Sequence, residues 1–209
     1  MIERPLNSIE QPPPAVEVVF SVEGVPIGNG DAPLTLDIRS GEIVPLSLDA
    51  ARRSELLRQL LSGYLPRGRA VLKQADGESL AFDGGRRPGP ALGVWTSTPP
   101  LLGAAPDELL RLAARTAGIR DRARRAELLE RLGLDDFDQP LAGADQRRLV
   151  RCGLALALIG APRLLIADDP LIGLDPAAAV GLMKLLPQLL DGAGVLYLGS
   201  PPGRPGTGN

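Results

Sequence analysis

The sequence predicts an α/β fold with a strand-rich front lobe, a parallel-sheet core and a helical subdomain. Three observations predict it. The last third alternates helical segments with short apolar runs at 164–167 and 195–198, the pattern of buried parallel strands. The first third carries apolar residues in strand-like alternation between turns. Between them, residues 106–134 repeat leucine at helical spacing.

Residues 1–14 end in Pro12, Pro13 and Pro14 and read as a flexible leader. Val16, Val18, Val19, Phe20 and Val22 make a first strand. Leu34, Leu36 and Ile38 alternate with polar residues in a second, and a turn at Ser40-Gly41 leads to Ile43, Val44, Leu46 and Leu48. At Asp49 the period changes. Leu56, Leu57, Leu60 and Leu61 recur as on a helix, with Asp49 as its N-cap and Gly63 as its stop.

Strands at 70–72 and 80–82 follow, then a glycine, arginine and proline loop at 84–90 and a strand at 92–95. Residues 106–134 read as helical, decorated by Arg111, Arg115, Arg120, Arg122, Arg124 and Arg125 on a solvated face. A helix at 147–159 precedes the first apolar run, and one at 176–190, capped by Asp175 with Pro176 at its first position, precedes the second. Residues 203–209 read as a flexible tail.

The chain has 209 residues, 44% hydrophobic and 23% charged, with a net charge of −2. That is ample for a buried core and too balanced in charge for a disordered chain. It also predicts no nucleic-acid partner, and the helical arginines lack the aromatic residues of a base-stacking surface. The chain has no histidine, which excludes Ser-His-Asp and Cys-His triads and histidine-ligated zinc. Cys152 stands alone and reads as a packed small hydrophobe. The longest apolar run, 152–162, falls short of the roughly 20 residues that cross a bilayer. No direct membrane insertion and a cytoplasmic location are therefore expected.

Ligands of such sheets sit beyond the carboxyl ends of the strands, so chemistry is sought after residues 167 and 198. The segment LLIADDPLIGLDPAA at 164–178 puts two carboxylates, Asp168 and Asp169, at a strand end, with Gly173-Leu174-Asp175-Pro176 opening the next helix. This resembles the Walker B and D-loop segment of ATP-binding-cassette (ABC) ATPases. Residues 36–44 are similar to the strand-turn-strand before that family's phosphate loop, and residues 56–63 to the helix after it. The resemblance spans residues 15–202. It implies a single P-loop NTPase-like ABC nucleotide-binding domain, with a helical subdomain at about 98–160.

The departures carry the functional expectation. A phosphate loop needs glycines, so that backbone N–H groups turn inward, and a lysine for the β and γ phosphates. Residues 45–55 hold no glycine, and Asp49 and Glu55 bring negative charge there. By resemblance Arg53 stands at the lysine position and Ser54 at the hydroxyl position, a weak cofactor-binding pair together with Asp168. Asp168 would be a magnesium ligand only if nucleotide binds. Asp169 stands where the family has its catalytic glutamate, and Ser200 at the switch histidine. The signature segment becomes Leu141-Ala142-Gly143-Ala144-Asp145, and Ser97 replaces the glutamine after the strand at 92–95. Gly143, Asp175 and Ser97 are the expected partner-facing residues.

These substitutions predict a non-hydrolysing ABC-like subunit that needs no cofactor and sits on the inner face of the cytoplasmic membrane. Its expected partners are an intact ABC ATPase and a membrane permease. A weakly active transporter ATPase that binds MgATP through Arg53 and Asp168 is a second reading. A soluble α/β adaptor without a transporter is a third.

Overall fold

The computed structural model describes residues 17–28 and 32–199. The leader at 1–14, the tail at 203–209 and Ser200 lie outside the described residues. Two four-stranded sheets carry the fold. The front sheet, ordered β2-β1-β4-β5, is antiparallel and formed by β1 (Val18–Val25), β2 (Leu34–Arg39), β4 (Arg69–Lys73) and β5 (Ser79–Ala81). The second, ordered β3-β8-β7-β6, is parallel and formed by β3 (Ile43–Leu46), β6 (Leu92–Thr96), β7 (Leu164–Asp168) and β8 (Gly194–Leu198).

The pleat of β7 explains how the sheets share a core. Leu165 and Ala167 point to one face of the parallel sheet, where Trp95, Leu154, Leu186 and Tyr197 pack. Leu164 and Ile166 point to the other and meet Phe20, Ile38, Leu56 and Leu72 of the front lobe. A strand covered on both faces must be apolar at every position, which is why β7 and β8 read as unbroken hydrophobic runs. At Gly194 the sheets press closest: a β-carbon there would lie 2.5 Å from Ile38 Cγ2.

Pro45 ends the parallel sheet. Val195 N donates to Glu42 O at 2.8 Å and Gly199 N to Leu46 O at 3.1 Å, so even-numbered positions of β3 face β8. The odd-numbered Pro45 therefore turns its missing N–H to the outer edge, where no partner strand is required.

Helix α1 (Ala50–Ser62) forms as its caps dictate. The Asp49 carboxylate accepts from Arg52 N, and Gly63 closes the helix with a left-handed φ of 69°. The helical stretch at 106–134 forms two helices, α2 (Pro106–Thr116) and α3 (Arg122–Arg131). Gly118 turns to φ 73° and Asp121 accepts from the N–H groups of Ala123 and Arg124, restarting the chain as a new helix. Arg125 pairs with Asp107 at 2.7 Å and Arg124 with Asp191 at 2.9 Å, so part of the arginine face is spent on ion pairs. Helices α4 (Gln146–Leu158) and α5 (Pro176–Leu189) cover the parallel sheet, capped by Asp145 and Asp175.

Trp95 bolts α4 to β6. Its indole N–H donates to Val150 O at 3.0 Å in the buried core. Gly153 and Gly93 make the approach possible: a β-carbon on Gly153 would meet Thr96 O at 2.5 Å, and one on Gly93 would fall on Ala157 O.

Candidate nucleotide-binding site

The carboxyl ends of β3, β7 and β8 meet the start of α1. Only Ser47, Leu48 and Asp49 separate β3 from α1. Residues 50–53 are already the helix's first turn, so Arg53 projects from a helical position toward β7. Its guanidinium forms an ion pair with Asp169 and lies 3.8 Å from Asp168 Oδ1. The Arg53 side chain is 19% exposed and those of Asp168 and Asp169 are 28% and 31% exposed, so water screens the pair only in part. A recess of about 540 Å³ beside it is lined by Ser47, Asp49, Arg53, Asp169 and Gly199.

Asp169 has a φ of 42°, a left-handed conformation that aspartate tolerates better than most residues. Its N–H donates to Leu198 O at 2.9 Å, which holds the turn. Gly199 makes room for the carboxylate, because a β-carbon at 199 would occupy the space of Asp169 Oδ1.

Ser54 is exposed and does not line the recess. Glu55 does not bring its charge there either. It accepts from Arg58 and Gln59 on the next turn of α1, and the Arg58 bond holds its carboxyl below the usual carboxylate range. Asp49 does line the recess, with one oxygen committed to the helix cap. The residues brought together are thus Arg53, Asp168 and Asp169.

A second cluster lies at the start of α4. Gly143, at φ 78°, belongs to the turn before it, and the Asp145 carboxylate accepts from Arg148 N at 2.8 Å. Asp145 is therefore an N-cap, a bland role its charge disguised. Arg147 reaches Asp175 at 2.6 Å, so Asp175 serves both α5 as cap and Arg147 as counter-ion. The Ala178 N–H first, then Arg147, hold the Asp175 carboxyl below its ordinary value. Gln146 donates to Ser97 O and to Ile172 O. Sequence reasoning passed over Gln146 and Arg147. The signal available was their place in the first turn behind an aspartate cap.

An apolar groove of about 530 Å³ runs along β6, floored by Gly93 and Gly153 and walled by Pro99, Pro100, Thr116 and Leu156.

With this geometry in view, the chain is 34% identical over 171 residues to the phosphonates import ATP-binding protein of a Nostoc strain, covering 75% of this chain and 68% of that protein. The chain belongs to the ABC transporter ATP-binding family. The hemin import ATP-binding protein of Bordetella avium is 33% identical over 162 residues, covering 75% of this chain and 56% of its own length. No family model matches the chain.

Solved structures agree on the ABC fold. A nucleotide-free ATP-binding cassette of an ABC transporter superposes with a TM-score of 0.70 at 14% identity, over 88% of this chain and 82% of that one. The ATP-binding subunit of another ABC transporter gives 0.65 at 22% identity, over 87% and 79%. Among the described residues of this ABC family member, no helix is long and apolar enough to cross a membrane.

Proposed function

We propose that this chain is a non-hydrolysing ABC subunit that docks on a membrane permease and pairs with an intact ATPase. The observation that carries the reading is the Arg53 bridge to Asp168 and Asp169. A phosphate loop is an eight-residue glycine-bearing motif that turns backbone N–H groups onto phosphate. Here three residues and a helical turn stand in its place, with the Arg52 N–H taken by the Asp49 carboxylate and the Arg53 N–H by the Asp49 carbonyl.

The same bridge opposes magnesium. Asp168, the metal ligand implied by resemblance, and Asp169 already face a guanidinium. A cation entering there must displace Arg53. The residues present do not fit a bound MgATP.

Docking rests on the groove beside β6. In this reading the loop carrying Ser97 and the helices after it, within about 98–160 of a single domain at 15–202, meet the permease on the inner face of the membrane. Gly143 and Asp175 then face the partner ATPase, and Ser97 the permease. Relatives that share this scaffold are named for phosphonates and for hemin import, and in this reading the permease sets the cargo.

Calorimetric titration of the purified chain with MgATP tests the reading, with Asp168→Ala as control. No saturable heat up to millimolar nucleotide is expected. Saturation in the micromolar range, weakened by Asp168→Ala, would overturn it and make the weakly active ATPase the better account. Failure to co-purify with any permease while remaining a stable monomer would favour the soluble adaptor.

A further inference from the structure

Gln146 and Arg147, the first two residues of α4, hold loops that are far apart in sequence. The Gln146 amide donates to Ile172 O at 2.9 Å and to Ser97 O at 3.2 Å. Both partners are carbonyl oxygens, so the amide nitrogen must be the end that faces them. Arg147 donates to Asp175 Oδ2 at 2.6 and 3.2 Å. Gly173 lies against the same side chain: a β-carbon there would stand 3.2 Å from Gln146 Cγ.

We propose that Gln146 is a positioning residue that latches the loop after β6 and the loop after β7 onto the first turn of α4, so that the three move as one body. One amide group carries two N–H donors, and here each serves a different loop. No other side chain among the described residues has a hydrogen bond to both loops. The latch also reaches the groove. Pro99 and Pro100 form part of its wall and follow Ser97 with only Thr98 between, so an occupant that shifts them pulls on Gln146. Through Ile172 the pull continues to the segment joining Asp168 and Asp169 to α5. The latch is a property of the chain alone and stands whether or not the groove takes a permease.

Amide hydrogen exchange read by mass spectrometry on the full chain tests it, comparing the parent with Gln146→Ala, Gln146→Glu and Gln146→Lys. Glutamate keeps the size and loses both donors, while lysine keeps donors on a similar reach. Gln146→Ala and Gln146→Glu should each speed exchange about fivefold in residues 95–104 and 169–175 together, the effect of losing roughly one net hydrogen bond at each loop. Exchange in β8 should not change, and Gln146→Lys should recover part of the protection in both loops. A response confined to α4 or to one loop, or a Gln146→Glu protein that behaves as the parent, overturns the proposal. Should Gln146→Ala unfold the sheet as well, the comparison of Glu with Lys at 146 decides by the same criteria.

Discussion

The guanidinium of Arg53 pairs with the carboxylate of Asp169, 116 residues further along the chain. This contact ties the first turn of α1 to the end of β7 across the carboxyl edge of the parallel sheet. Two carboxylates there share one arginine, which offsets one of their two negative charges from within the protein.

Arg53→Ala should expose that arrangement. Removing the guanidinium leaves Asp168 and Asp169 side by side without a counter-ion, which should cost on the order of 1 kcal/mol in urea unfolding. The same variant should gain saturable binding of a divalent cation, such as manganese in calorimetry, where the parent shows none. Equal cation binding by parent and variant would show that Arg53 does not close the site.

Alkaline pH should weaken the fold through two buried acids. Burial pushes the Cys152 thiol from 9.0 to about 11 and the Tyr197 phenol from 10.0 to about 12. Each group is neutral when protonated, and the native state keeps its proton to a higher pH than the unfolded chain. Stability from this source is complete below pH 9, then falls between 9 and 11 for the thiol and between 10 and 12 for the phenol. The slope reaches about 1.4 kcal/mol per pH unit for each group. Urea melts at stepped pH should show the decline starting later in Cys152→Ala. Parallel curves for the two proteins would remove the thiol from the account.

Gly93→Ala should lift α4 from β6. The added methyl falls on the Ala157 carbonyl oxygen, which is helix backbone and has no rotamer with which to retreat. A loss of about 1–3 kcal/mol is expected, the usual cost of overpacking. Trp95 fluorescence reports it directly, since its indole is bonded to the same helix at Val150. Unchanged stability and emission would mean that α4 and β6 have slack that the geometry does not indicate.

The sequence alone determined the elements and most of their ends, because those depend on neighbours along the chain. The Asp49 and Asp175 caps, the Gly63 stop and the apolar runs of β7 and β8 are local features, legible from spacing. The order of motifs also singled out Arg53, Asp168 and Asp169, whose side chains the fold brings together. The place of the break at Gly118 is not legible from leucine spacing, which continues on both sides of it, and the Asp121 cap marks the restart. What the tertiary structure decided was who meets whom. Arg53 found its carboxylates, Glu55 turned to Arg58, and Asp145 spent its charge on a helix cap. Gln146 joined loops around Ser97 and Ile172. The Glu55 and Asp145 contacts stay within three residues along the chain, whereas those of Arg53 and Gln146 depend on the parallel order β3-β8-β7-β6, which brings strand ends distant in sequence to one edge, and no local periodicity carries that information.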